Sequence, residues 1–198
     1  FAIRRQRQMC IRDSANEMDN SLTTNHGTIS ATSANGYGIW YENNGNARVN
    51  NILNNFGTIS AIAGTTSDGI GLGKSAQAMF NTTINNSGTI SGSDNSILVL
   101  NSSSTGIDIV TKGDGTYEGE IDLNSSVTTM TLDCSISKDQ KIEIHGKTNM
   151  VITNNLCGND TYEILDNNSD LDADNSETDG FLYVYGAVSY THLRAHET

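Results

Sequence analysis

Three alternating aspartates close to the C-terminus are the residues in this sequence whose types and spacing best suit a metal ion. Asp170, Asp172 and Asp174 match the first half of a calcium-binding loop, in which alternating carboxylates converge on the ion. Asn175 stands where that loop has glycine, and Phe181 stands where it has a bidentate glutamate. We therefore predict an acidic, solvated turn between two strands and no cofactor, with weak calcium binding by these aspartates as the alternative.

Two cysteines in the interior of the sequence could form a disulfide bond. Cys134 and Cys157 are an even pair in a chain that looks extracellular, the setting in which disulfides persist. The alternative is two unpaired thiols inside a strand core. A zinc site is not expected, because two cysteines cannot complete a tetrahedral shell and the nearby His145 adds no recognised spacing.

The interior offers little that could perform acid–base or nucleophilic catalysis. Its histidines are His26 and His145, and a Ser-His-Asp hydrolase needs a base that a third group orients. Its carboxylates are scattered and Arg48 is its one arginine, so we predict that the chain is not an enzyme. The neighbours Trp40 and Tyr41 could stack on a sugar, although packing at the edge of the fold is the preferred interpretation.

Both ends of the chain read as translated sequencing adapters, which must be set aside before the fold is considered. One possible back-translation of Met9–Ser14, taken as its reverse complement, encodes Ala187–His192. Both ends can therefore be written from one inverted DNA string. We assign residues 1–14 and 187–198 to this artefact and expect the remaining interior, residues 15–186, to be a fragment that is truncated at both ends.

The charge of the chain excludes some partners. It contains 11 basic and 23 acidic residues, a net charge of −12. The two terminal segments contribute five of the basic and two of the acidic residues, which leaves 6 and 21 in the interior, a net charge of −15. Such a surface repels phosphate backbones and anionic membranes, so we expect no nucleic-acid partner.

A nearly regular repeat organises the first half of the interior. The string Asn-x-Gly-Thr-Ile-Ser occurs at residues 25–30, 55–60 and 86–91, so that successive copies are almost evenly spaced. The apolar runs of each period are short, β-branched and bounded by turn-forming residues, which favours strands over helices. One coil of a parallel β-helix per period is the natural solution, although two coils per period stay possible.

Equivalent residues of successive coils are expected to lie over one another. Ile29, Ile59 and Ile90 would form an inward core ladder, each residue contributing on the order of 1.5–3 kcal/mol by burial. The asparagines that begin each repeat would occupy equivalent corners, where their amides can form a second ladder. These are Asn25, Asn55 and Asn86.

The strict repeat covers residues 20–100 and fades beyond Asn101, but the two-residue alternation of apolar positions continues. Apolar pairs recur through the rest of the interior: Ile107 and Ile109, Ile121 and Leu123, Met130 and Leu132, Ile142 and Ile144, Tyr162 and Ile164, Leu182 and Val184. The chain contains no proline, which suits paired strands. We therefore predict an all-β protein, a right-handed parallel β-helix, with less regular coils over residues 101–186.

The repeats and the stretch Gly113–Leu123 resemble the passenger regions of autotransporters from marine Gram-negative bacteria. The segment from Thr131 to Asp160 resembles the same group. The resemblance implies a signal peptide before this region, an outer-membrane β-barrel of the same protein as its partner after it, and a cell-surface, outer-membrane-associated or secreted location. The Gly-Asp-Ser-Gly motif of the protease members is absent from this sequence.

The function expected from these observations is a non-enzymatic, surface-displayed shaft or adhesive region, whose ligand would be a surface glycan or a protein. One alternative is a carbohydrate-active β-helix enzyme similar to the polysaccharide lyases. Another is an ice- or mineral-binding solenoid, which needs flat files of outward threonines. Thr28, Thr58 and Thr89 could start one file, but the sequence shows no second file of matching spacing.

Overall fold

The computed structural model describes residues 21–33, 35–42, 50–136, 138–157, 160–166 and 180–185. Apart from a single-turn 3-10 helix at Lys147–Asn149, the elements described are strands. In chain order they are β1 (Leu22–Asn25), β2 (Thr28–Ala31), β3 (Tyr37–Tyr41), β4 (Asn51–Asn55), β5 (Thr58–Ala61), β6 (Asp68–Leu72), β7 (Phe80–Asn86), β8 (Thr89–Val99), β9 (Thr105–Thr111), β10 (Thr116–Asp122), β11 (Val127–Leu132), β12 (Gln140–His145), β13 (Met150–Asn154), β14 (Thr161–Asp166) and β15 (Gly180–Tyr185).

The strands stack into two sheets, which the chain visits in turn as it winds. The first sheet has the order β1-β4-β7-β9-β11-β13, and all its pairs are parallel. The second has the order β14-β15-β12-β10-β8-β5-β2, with β3 and β6 joined to it through β8. Strand neighbours that lie one winding apart in the sequence define a β-solenoid, as the repeat predicts.

The core ladder of isoleucines is present in the predicted register. Ile29 pairs with Ile59 and Ile59 with Ile90, so one period of the repeat is one coil. Ile59 and Ile90 are fully buried, whereas Ile29, in the first coil described, is partly buried. Single coils cannot hide this apolar row, so its burial depends on stacking.

The coils shorten along the chain, and this explains why the sequence repeat fades while the strands continue. Ile84 pairs with Ile109, a smaller step along the chain than the period of the repeat. The next two steps of the same row, from Ile109 to Met130 and from Met130 to Ile152, are smaller again. The inward side chains stay in register across these steps, so it is the connecting loops that lose residues and not the ladder.

The last two strands differ from the coils expected there. β15 pairs antiparallel with both β12 and β14. Leu182 and Val184 on β15 are fully buried against the end of the core, while Ile164 on β14 is 41% exposed. An apolar alternation of two residues suits either strand direction, so the pattern that predicts strands here does not predict their direction.

Candidate functional site

The Asn-x-Gly corner carries the amide ladder that the repeat predicts. Asn25 Nδ2 donates to Asn55 Oδ1 and Asn55 Nδ2 to Asn86 Oδ1, each at 2.9 Å. Each amide also donates to a backbone carbonyl of the next coil, as Asn55 does to Thr89 O at 3.1 Å. These buried bonds satisfy groups that would be costly unpaired, so the corner asparagines serve the structure.

The two interior cysteines meet in the structure. Cys134 and Cys157 form a disulfide bond with a Cα–Cα distance of 4.8 Å. The bond joins the loop after β11 to the loop after β13, which are adjacent strands of the first sheet. It therefore cross-links two consecutive coils at an exposed corner.

The candidate calcium ligands, Asp170, Asp172 and Asp174, lie outside the described residues, and so do residues 1–14 and 187–198. Within the described ranges, no three His, Cys, Asp or Glu side chains gather as a metal-binding group. Calcium binding therefore stays a hypothesis.

His26 lies at the corner between β1 and β2, where it is exposed and stacks on Phe56 of the next coil. The two ring centroids are 4.8 Å apart and the planes differ by 6°. His145 ends β12, on a different part of the second sheet. These positions fit surface and strand-end residues, and the absence of enzyme activity stays a prediction.

Trp40 and Tyr41 do not form a joint sugar-stacking pair. Tyr41 packs against the core, and burial raises its pKa. Trp40 donates its indole N–H to Gly73 O at 2.9 Å, and its ring lies 5.4 Å from that of Tyr37. Lys74, which forms an ion pair with Glu42, lies 5.9 Å from the Trp40 ring. The contacts made by Trp40 are packing contacts, which agrees with the preferred interpretation of this pair.

Asp68, at the start of β6, is a buried carboxyl among other carboxylates. Its Oδ1 accepts hydrogen bonds from the backbone N and Nδ2 of Asn95, at 3.2 and 2.9 Å. Burial raises the pKa of Asp68, the bonds from Asn95 offset part of the rise, and the charges of Asp94 and Asp122 add to it. A polysaccharide-lyase-like enzyme would need a basic residue near its carboxylates, and Arg48, the one arginine of the interior, lies outside the described residues.

The threonine file continues for one coil more than the sequence repeat indicates. Thr28, Thr58, Thr89 and Thr116 are in register, and Ser30, Ser60 and Ser91 form a second file two residues further on. The repeat itself contains this second file, because each Asn-x-Gly-Thr-Ile-Ser copy ends in serine. Ser91 is buried and the next position is Glu118. The second file is therefore not an evenly exposed hydroxyl array, as an ice-binding surface requires.

The outer face of β15 carries a row of aromatic side chains that the sequence analysis did not single out. Phe181, Tyr183 and Tyr185 alternate with the buried Leu182 and Val184. The ring centroids are 6.2 Å apart for Phe181 and Tyr183, and 6.4 Å apart for Tyr183 and Tyr185. The pattern is visible in the sequence, because aromatic residues at 181, 183 and 185 alternate with aliphatic residues. Side chains two residues apart share one face of a strand, so the aromatic residues lie on the face opposite to the buried one.

Charged side chains on the two neighbouring strands flank this aromatic row. Lys141 Nζ lies 3.8 Å from the centroid of the Phe181 ring. Tyr185 Oη donates to Glu163 Oε2 at 3.3 Å. Desolvation, followed by the Glu163 carboxylate, raises the pKa of Tyr185. The row is therefore bordered by an ammonium group on the β12 side and by a carboxylate on the β14 side.

No protein-family model, no curated protein and no solved structure matches this chain. No helix in the described ranges has the length and apolarity to cross a membrane.

Proposed function

We propose that this chain is a non-enzymatic passenger segment of an autotransporter, displayed at the cell surface or secreted, where it acts as a shaft or an adhesive region. The observation that carries the proposal is the unbroken stacking of coils, with inward side chains in register from β1 to β13. In such a stack each coil contacts only its neighbours, so length can grow without a new kind of core. An elongated spacer needs that property.

The Cys134–Cys157 bond supports an extracellular location, and the net charge disfavours two classes of ligand. Disulfides persist in oxidising compartments and are rare in the cytosol. The chain carries a net charge of −12, which disfavours adhesion to anionic membranes or nucleic acid. A glycan or a protein at a surface is therefore the proposed ligand class, and an outer-membrane barrel of the same protein is the proposed partner in export.

The proposal is tested by expressing the full reading frame in a Gram-negative host and treating intact cells with proteinase K. Epitope tags are placed in the solenoid, and a periplasmic protein serves as the control for membrane integrity. We expect the solenoid tag to be cleaved while the periplasmic control is protected. A tag that stays protected in intact cells, with Cys134 and Cys157 reactive to a thiol reagent after lysis, would contradict the proposal.

Calcium binding at Asp170, Asp172 and Asp174 is a separate part of the proposal. Extracellular modules commonly bind calcium with dissociation constants of roughly 10⁻⁴–10⁻³ M. Isothermal titration of the purified chain should give heat at millimolar calcium, and the heat should vanish in the variant Asp170→Asn/Asp172→Asn/Asp174→Asn. No heat for the unmodified chain at that concentration removes the site.

A further inference from the structure

The outward side chains of β12, β15 and β14 form an ordered surface at the C-terminal end of the described solenoid. The aromatic row of β15 lies in the middle, because β15 pairs with β12 on one side and β14 on the other. Lys141 is opposite Tyr183 across one pair, and Glu163 is opposite Tyr183 across the other. Glu143 is opposite Phe181. Phe181 and Tyr183 thus have ionic side chains opposite them, and Tyr185 has the carboxylate of Glu163 within hydrogen-bond distance.

We propose that this aromatic row is a binding site for an uncharged polysaccharide, whose chain lies along Phe181, Tyr183 and Tyr185. The inference rests on the proposed function, since it names the site and the ligand class of the adhesive region. It uses none of the residues considered for metal binding or catalysis.

The geometry of the rings suits a ligand with repeating apolar faces. Tyr183 and Tyr185 have planes within 13° of each other, and their centroids are 6.4 Å apart. Phe181 continues the row at a similar distance with a tilt of 52°. Aromatic rings present a negative face that attracts weakly positive C–H groups, and a sugar ring offers such groups on its apolar face. A row of rings therefore fits several consecutive sugar units.

The flanking side chains supply the hydrogen bonds that such a ligand needs at its edges. Sugar hydroxyls both donate and accept, so they can bond to carboxylates and to an ammonium group alike. Glu163 and Glu143 provide acceptors on opposite sides of the row, and Lys141 provides a donor. A few polar groups placed around an apolar surface orient a ligand in this manner.

The same composition argues against the other macromolecular partners. A stable protein–protein interface covers roughly 800 Å² per partner, more than three partly buried rings can provide, so a protein partner would also have to desolvate the charged side chains beside the row, at a cost in free energy. The nearby carboxylates and the acidic chain repel phosphate-bearing ligands, so nucleic acids and anionic lipids are disfavoured. An uncharged polysaccharide avoids both penalties.

The Tyr37–Trp40 pair fits this ligand less well. The indole N–H of Trp40 is already bonded to Gly73 O, and the Tyr37 ring covers Gly71, where an added Cβ would lie 2.5 Å from Cδ1 of that ring. These rings pack on the protein, whereas the rings of β15 form a row along a strand.

The test uses the purified chain with its disulfide intact and three probes: cellohexaose, chitohexaose and maltohexaose. We expect isothermal titration to show binding to at least one of them, and Tyr183→Ala to weaken it by about tenfold, as expected for loss of a stacked ring. The matched control is Phe56→Ala, which removes a side chain that is 53% exposed at a corner of the solenoid. That variant should bind like the unmodified chain.

A second variant distinguishes a specific loss of binding from a loss caused by misfolding. Glu163→Gln keeps the size of the side chain and the aromatic row, and it should weaken binding several-fold while circular dichroism and the melting temperature stay unchanged. Absence of binding to all three probes at millimolar concentration overturns the inference, and so does binding that Tyr183→Ala and Glu163→Gln leave unchanged. Because the purified chain is used, failure here is distinguishable from failure of surface display, which is measured on cells.

Discussion

The hydroxyl of Tyr117 lies 3.1 Å from Oγ1 of Thr111, at the coil where both internal ladders change residue type. Tyr117 pairs with Ile90 and takes the next position of the isoleucine ladder. Thr111 pairs with Asn86 and takes the next position of the asparagine ladder. The last amide of the asparagine ladder, Asn86 Nδ2, donates to Thr116 O at 3.1 Å, so the ladder ends at the residue next to Tyr117.

This relationship predicts an alkaline loss of stability. Burial raises the pKa of Tyr117 from 10.0 to about 12, with the bonds to Thr111 and Asn86 opposing part of the rise. Because the pKa of Tyr117 is higher in the folded than in the unfolded protein, its contribution to the free energy of unfolding is fully present below pH 10. It is lost as pH rises from about 10 to 12, by on the order of 3 kcal/mol. Urea unfolding of the unmodified chain and Tyr117→Phe at pH 8 to 12 measures the difference. Parallel pH profiles for the two proteins would refute the prediction.

The amide ladder predicts that a buried asparagine contributes more to the free energy of unfolding than a partly exposed one. Asn55→Ala removes bonds to Asn25, Asn86 and Thr89 O, and should lower the free energy of unfolding by about 2–3 kcal/mol. Asn85→Ala is the matched control, because its amide bonds to Asn54 at 3.0 Å on the partly exposed outer face. It should cost less than about 1 kcal/mol. Equal costs in denaturant unfolding would argue against a structural amide ladder.

The corner glycines predict a similar contrast. A Cβ on Gly57 would overlap backbone atoms of Gly27 in the preceding coil, whereas a Cβ on Gly27 would meet nothing within 4 Å. Gly57→Ala should therefore lower the free energy of unfolding by about 1–3 kcal/mol through overpacking. Gly27→Ala should change it by less than about 0.5 kcal/mol. If chemical denaturation shows both variants to be neutral, the coils do not approach this closely at the corner.

The disulfide predicts a redox-dependent stability. Cys134 and Cys157 are 23 residues apart, and a cross-link over a loop of that length contributes about 3 kcal/mol. Dithiothreitol should lower the free energy of unfolding of the unmodified chain by this amount. The double variant Cys134→Ser/Cys157→Ser should start at the lower value and not respond. An unmodified chain that is equally stable with and without reductant contradicts the prediction.

The sequence was sufficient to predict the first coils, because identical residues recur there at nearly constant spacing. Ile29, Ile59 and Ile90 could be aligned by inspection, and their register follows from the repeat. Later coils lack this signal, since their loops shorten while the strands keep only an apolar alternation. That alternation correctly predicts strands, including those around Met130 and Ile144, but carries no information about coil length.

The direction of β15 and the neighbours of its aromatic row could not be predicted, because both depend on contacts between distant parts of the chain. The direction of β15 depends on which neighbour covers the end of the core, and local residue patterns do not record it. The aromatic row on its outer face was visible as alternating Phe181, Tyr183 and Tyr185. Its charged neighbours, Lys141 and Glu163, could not be predicted, because only the strand pairing brings them beside the row. Tertiary neighbours, and not local spacing, define that surface.

The stacking of equivalent isoleucines on successive coils is the claim on which the account depends, and methyl NMR tests it most directly. With isoleucine methyl groups labelled, Ile59 should show nuclear Overhauser contacts to both Ile29 and Ile90, since adjacent strands are about 4.8 Å apart. Ile29 and Ile90, two strand spacings apart, should show none. A direct contact between Ile29 and Ile90, or the absence of both contacts to Ile59, would contradict the solenoid.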